Sequence, residues 1–94
     1  MPYVWARHRV KDYKEWRKLF DSFHAVRKAG GETSYQIFHN ENDPNDIHMI
    51  FEFDSFENAH KFAESQELKD AMVSGGVLEE PSISFVEKYD SGTT

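Results

Sequence analysis

The sequence predicts an α+β fold in which one antiparallel sheet carries its helices on a single face. Three observations lead there. Four separate stretches alternate with the period of two that a strand imposes. Two stretches between them open on helix-capping signals and continue at helical spacing. The segment Glu41-Asn42-Asp43-Pro44-Asn45-Asp46 is dense in turn formers and joins the second and third alternating stretches without a helix between them.

The order can be followed along the chain. Tyr3 to Val10 reads as a strand with Val4, Ala6, His8 and Val10 on one face and Tyr3, Trp5, Arg7 and Arg9 on the other. Asp12 is a candidate helix cap, with Glu15 three residues on completing a capping box. Trp16, Leu19, Phe20, Phe23 and either Val26 or Arg27 then recur at helical spacing, and Gly30-Gly31 is the expected stop. Thr33 to Asn40 alternates again, Tyr35, Ile37 and His39 sharing a face opposite Gln36, Phe38 and Asn40. After the 41–46 turn, Ile47 to Phe53 forms a third strand in which Ile47, Met49, Phe51 and Phe53 oppose His48, Ile50 and Glu52. Asp54 and Glu57 mark the next helix start, with Phe56, Ala59, Phe62 and Ala63 as its stripe. Leu68, Ala71 and Met72 form a shorter helical piece ended by Gly75-Gly76, and Pro81 leads into a last strand, Ser82 to Tyr89. Strand, helix, strand, strand, helix, strand is the ferredoxin-like arrangement. Residues 1–90 make one such domain and 91–94 a flexible tail.

Composition narrows the function classes. A chain of 94 residues buries only roughly 60 to 65% of its unfolded surface, so help from a second subunit is expected. The net charge of -6 opposes binding to nucleic acid or to an anionic membrane. Without cysteine there is no disulfide, thiolate metal site or cysteine nucleophile. Neither a secretory leader pattern nor an apolar run of membrane-spanning length is present, so a soluble cytoplasmic protein is the expectation. One sheet face would remain uncovered by the helices. Tyr3, Trp5 and Arg7, with Ile50 and Glu52 on the neighbouring strand, lie on it, and a second copy of the chain is the economical cover. Arg7 or Arg9 could pair with Glu52 across such an interface.

Several segments carry a resemblance to a known group. They are His8-Arg9-Val10-Lys11-Asp12-Tyr13-Lys14-Glu15-Trp16, Asp43-Pro44-Asn45, Phe51-Glu52-Phe53-Asp54, and Leu68-Lys69-Asp70-Ala71-Met72 followed by Gly76-Val77 and Pro81. With these, nearly the whole chain resembles the small proteins of the dimeric α/β-barrel superfamily, the antibiotic-biosynthesis monooxygenase-like and stress-responsive barrel proteins, and among them an uncharacterised subgroup. The resemblance implies two ferredoxin-like sheets meeting face to face as a homodimer, with a pocket in each subunit between helices and sheet. Such relatives include cofactor-free oxygenases, haem-degrading enzymes, isomerases and proteins with no assigned activity, so a fold of this kind does not by itself name a reaction.

His8 is the candidate catalytic group. On an otherwise apolar strand face it would share the pocket with Tyr13, Trp16, Phe20, His39, Met49, Phe51 and Met72, a suitable site for a small apolar or aromatic molecule. The competing reading is a core histidine satisfied by a backbone or hydroxyl partner. His8, His39 and His48 invite a metal site, but strand parity turns His48 away from His8, so no metal is expected. His24 and His60 read as surface histidines, and no motif would seat haem propionates. The glycine pairs lack a nucleotide-binding spacing and no serine sits in a nucleophile setting, so no cofactor and no hydrolase chemistry are expected. Two functions remain: a small-molecule enzyme of the cofactor-independent oxygenase or isomerase type, or a non-catalytic dimeric ligand-binding or accessory module.

Overall fold

The computed structural model describes residues 2–94. Its elements are β1 (Pro2–Arg9), α1 (Tyr13–Ser22), α2 (His24–Ala29), β2 (Glu32–Asn40), β3 (Asp43–Phe53), α3 (Phe56–Ala63), α4 (Gln66–Ser74) and β4 (Ser82–Glu87). The four strands form one antiparallel sheet in the order β2-β3-β1-β4. This is the expected α+β, ferredoxin-like arrangement. Each of the two crossovers holds a pair of short helices.

Strand parity follows the sequence alternation. Tyr3 lies opposite Glu52, Trp5 opposite Ile50 and Arg7 opposite His48, so these residues share the face away from the helices. Val4, Ala6 and His8 on β1, and Ile47, Met49 and Phe53 on β3, are buried on the other face. Trp16 and Phe20 from α1 and Ala59 from α3 close over them. Removing the two large α1 rings from water contributes roughly 2 to 3 kcal/mol each, which makes them the main ties between helix and sheet.

The elements depart from expectation where a local signal competes with a distant partner. The first helix is broken at Phe23 (φ -88°, ψ 4°). There the Ser22 hydroxyl donates to the Leu19 carbonyl at 2.7 Å and competes with the helical ladder. Beyond the break Arg27, not Val26, is the buried residue. Asp12 caps α1 by accepting the Lys14 N–H, whereas Glu15 turns outward to Lys18 and completes no capping box. At α3 the cap is Ser55, which accepts the Asn58 N–H, while Asp54 takes the Asn58 side-chain amide at 2.8 Å.

The 41–46 segment is not a six-residue turn. Asn40 pairs with Asp43, leaving Glu41-Asn42 as the turn, and β3 already contains Pro44 and Asn45. Asn45 reaches across the fold. Its side-chain oxygen accepts the Tyr13 N–H at 2.8 Å and its carbonyl accepts the Val10 N–H at 2.9 Å, so it ties the start of α1 to the sheet. β4 ends at Glu87 rather than Tyr89, which is fully exposed. Gly31 has φ 105°, and a Cβ there would lie 2.6 Å from the Asp54 carboxylate. Its carbonyl accepts the Asp54 N–H, so glycine permits the close approach of the two crossovers.

Candidate functional site

Between the helices and the sheet lies a cavity of about 100 Å³. β1 and β3 form its floor through Val4, Ala6, His8, Met49, Phe51 and Phe53, and Trp16 and Phe20 wall it from α1. α3 and α4 close the far side with Ala59, Phe62, Ala63, Leu68, Ala71 and Met72. The aromatic wall is continuous: Trp16 stacks on Phe20 at 5.0 Å between centroids, and Phe20 meets Phe51 at 6.3 Å.

His8 is 5% exposed and packs edge-on against Trp16, with ring centroids 5.6 Å apart. Neither of its ring nitrogens has a hydrogen-bond partner among the described residues. A core histidine held by a backbone or hydroxyl group is therefore not what is found here. Burial disfavours the imidazolium and lowers the pKa from 6.5 to about 4, with the charge of Glu79 a smaller opposing influence. The ring is neutral at pH 7, one nitrogen a donor and the other an acceptor.

Arg27 is a second polar group in the wall, and it stands out only in the fold. It is 4% exposed, and its guanidinium lies over the Phe20 ring at 3.8 Å. It forms an ion pair with Glu32 and donates to the Phe20 carbonyl at 3.0 Å, while its Nε and one Glu32 oxygen have no partner among the described residues. Burial raises the Glu32 pKa, opposed by the charge of Arg27. The sequence held a faint signal, since Arg27 falls at a core position of the helical stripe. A cation there requires a buried anion, and Glu32 follows just past the Gly30-Gly31 stop.

Of the residues expected in the pocket, the cavity gathers His8, Trp16, Phe20, Met49, Phe51 and Met72. Tyr13 and His39 do not line it. Tyr13 packs on the outer end of the core, 5.9 Å from the Trp16 ring, and His39 stands exposed beyond it on the edge strand β2. His48 lies on the opposite face from His8, 6.2 Å from the Trp5 ring and 3.5 Å from Asp46. His60 stacks flat on Phe85 at 3.8 Å. Among the described residues, no group of three or more histidine or acidic side chains comes together as a metal site.

The open sheet face carries Tyr3, Trp5, Arg7, Ile50 and Glu52, joined by Phe38 at 50% and Val86 at 42% exposure. Within the protomer, Arg7 is already engaged by a two-pronged pair to Asp46 at 2.9 and 3.0 Å, which holds the Asp46 carboxyl below its usual pKa. Arg9 pairs with Glu79, and Glu52 accepts the Ser34 hydroxyl. No helix among the described residues is long and apolar enough to cross a membrane.

Solved structures share this architecture. An antibiotic biosynthesis monooxygenase superposes with a TM-score of 0.72 at 13% identity, over 96% of this chain and 100% of that one. The fold is that of the antibiotic-biosynthesis monooxygenase-like proteins. A variant of SnoaB, a cofactor-independent oxygenase from Streptomyces nogalater, matches this monooxygenase-like fold with a TM-score of 0.76 at 8% identity, over 96% of this chain and 94% of that one. A conserved protein from Methanosarcina mazei matches it with a TM-score of 0.71 at 19% identity, over 94% and 92% of the two chains. No protein-family model and no curated protein matches the chain. At these identities the likeness establishes the monooxygenase-like fold and not its chemistry.

Proposed function

We propose that this chain is a cytoplasmic, homodimeric small-molecule enzyme of the cofactor-independent oxygenase or isomerase type, acting on a small apolar or aromatic molecule in the helix–sheet cavity. One observation carries the reading: both nitrogens of the neutral His8 ring are buried behind an aromatic wall without a partner among the described residues. An orphaned buried polar atom costs roughly 1 to 3 kcal/mol. Such a cost is retained most readily where the group has work to do on a ligand.

In this reading a ring nitrogen of His8 takes a proton from an acidic C–H or O–H of the ligand, and the electron pair stays on the ligand. An isomerase returns that proton to another carbon and needs no further reactant. An oxygenase requires dioxygen as co-substrate: a carbon–oxygen bond forms, and the imidazolium proton passes to the distal oxygen, leaving a hydroperoxide. With a pKa of about 4, His8 is a weak base, and each unit separating it from the ligand's pKa costs about 1.4 kcal/mol. The ion pair formed in a cavity with an apolar wall offsets part of this cost. The homodimer is supported by Tyr3, Trp5, Ile50, Phe38 and Val86 on the sheet face that the helices leave open.

The sealing of His8 favours a second reading, a non-catalytic dimeric binding or accessory module, because the cavity wall offers it no neighbouring acid or base to hand the proton on. His8→Gln separates the two. Mass spectrometry of gently purified protein first identifies a retained molecule. The enzyme reading expects the variant to keep its melting temperature and to lose turnover of that molecule. Retained binding with no turnover by either protein supports the module, and a large loss of stability with unimpaired binding removes the functional role of His8.

A further inference from the structure

The inner cavity and a groove on the molecular surface share a wall. The groove, about 370 Å³, runs between α4 and the segment leading into β4, with Lys69, Val73, Val77, Glu79 and Glu80 on its outer side. Ala63, Met72, Pro81 and Ile83 line both the groove and the cavity. Of these four, two are rigid or carry no rotatable side chain, and Ile83 is stiff at χ1. Met72 is half-buried and unbranched, with three rotatable bonds.

The surrounding backbone is poorly suited to opening as a whole. α4 buries none of its residues completely, and its C-terminal end is the part packed closely on another helix. At its start Ser65 links α4 to the last turn of α3, accepting the Leu68 N–H at 3.2 Å and donating to the Phe62 carbonyl at 2.8 Å. At the other end Gly75 is packed so closely on α1 that a Cβ would lie 2.9 Å from Leu19 and 3.4 Å from Trp16. A side-chain rotation is thus the least costly way to connect groove and cavity. The inner space also constrains what can pass. At about 100 Å³ it is somewhat below the ~150 Å³ that holds a benzene in a protein core, so a single aromatic ring is near its limit. The charge of Arg27 is already neutralised by Glu32, so an incoming anion would meet single N–H donors from Arg27 Nε and His8 and no unpaired cation.

We propose that the groove beside α4 is the mouth of the cavity, that the Met72 side chain closes it, and that it admits uncharged molecules of about one aromatic ring. This deepens the reading of the cavity as a ligand site and rests on it. Val73, 81% accessible, and Val77 give the mouth an apolar strip beside the charged Lys69, Glu79 and Glu80.

The test uses 4-fluorophenol and 4-fluorobenzoate as matched neutral and anionic probes, with fluorine NMR exchange measured on the wild type, Met72→Ala, Met72→Leu and Met72→Trp. For 4-fluorophenol, the expected association rate rises roughly tenfold in Met72→Ala, stays near wild type in Met72→Leu and falls roughly tenfold in Met72→Trp. 4-Fluorobenzoate should bind roughly a hundredfold more weakly than the phenol, since its carboxylate would be buried with no unpaired cation opposite it. Should Met72→Trp fail to fold, the Ala and Leu variants still decide the outcome. Equal association rates across the folded variants, with phenol binding intact, overturn the mouth while leaving the cavity as a site. Comparable binding of the benzoate overturns the selection for neutral molecules. Absence of phenol binding in the wild type and every variant overturns the cavity reading and the mouth together, whereas binding only to Met72→Ala supports the gate.

Discussion

Acid should weaken this protein through His8 before most of its carboxylates titrate. In the folded chain the His8 pKa is lowered from 6.5 to about 4, so between those values the unfolded chain binds a proton that the folded chain excludes. The sign follows directly: the contribution to stability is complete above the unfolded pKa and is lost as pH falls toward the folded one. From pH 7 to pH 5 the loss integrates to about 2 kcal/mol. Glu32 acts in the opposite sense, because its pKa is raised in the fold, and it offsets part of the loss near the lower end of the window. Urea unfolding followed by tryptophan fluorescence, at one protein concentration and at both pH values, measures the difference. His8→Leu is the informative variant. It removes two unpartnered nitrogens, so it should be more stable than wild type by about 1 kcal/mol at pH 7 and should lose much less on acidification. Equal acid losses in wild type and His8→Leu would refute the assignment of this titration to His8.

Other perturbations test other parts of the structure. Trp16→Ala should cost about 3 to 5 kcal/mol, because the ring is buried between sheet and helix; thermal melting that shows less than 1 would mean the core is misjudged. Asn45→Ala should cost about 1 to 2 kcal/mol despite its turn-like context, since the Tyr13 N–H loses its acceptor. Trp5→Glu should dissociate the proposed homodimer, which light scattering reads directly; an undiminished dimer would remove the open face from the interface. Arg27→Met should cost about 3 to 5 kcal/mol by leaving Glu32 buried and unpaired, while the double variant Arg27→Met, Glu32→Leu should recover most of it. A double variant as unstable as the single one would show that the ion pair is not the cause.

What the sequence made legible was what the backbone itself imposes. Alternation has a fixed period of two, so the face shared by Val4, Ala6 and His8, and the one shared by Tyr3, Trp5 and Arg7, could be read before any pairing was known. Helical spacing likewise placed Trp16 and Phe20 against the sheet. The misreadings arise where a residue has two plausible partners. Asp43-Pro44-Asn45 has local turn chemistry, but the partners of Asn45 are Val10 and Tyr13, more than 30 positions away in sequence, and those contacts draw it into a strand. Asp54 and Ser55 are both competent caps, and only the position of Asn58 decides between them. His39 has the right parity for the cavity, yet parity does not say how far along the sheet the helices reach. Arg27 was obscured because a charge at a core position reads as a break in the pattern, unless the anion that neutralises it is known.

The cavity also has a mechanical meaning. An apolar space of about 100 Å³ corresponds to about 60 mL per mole, and the volume change by which hydrostatic pressure denatures domains scales with such internal voids without equalling them. Water under pressure would therefore be forced first into the space beneath Trp16 and Met72, separating the helices from the sheet there while the β1–β3 ladder still holds. A molecule that fills the cavity should shift the pressure midpoint upward by more than its affinity alone accounts for, because it removes the compressible volume on which pressure acts.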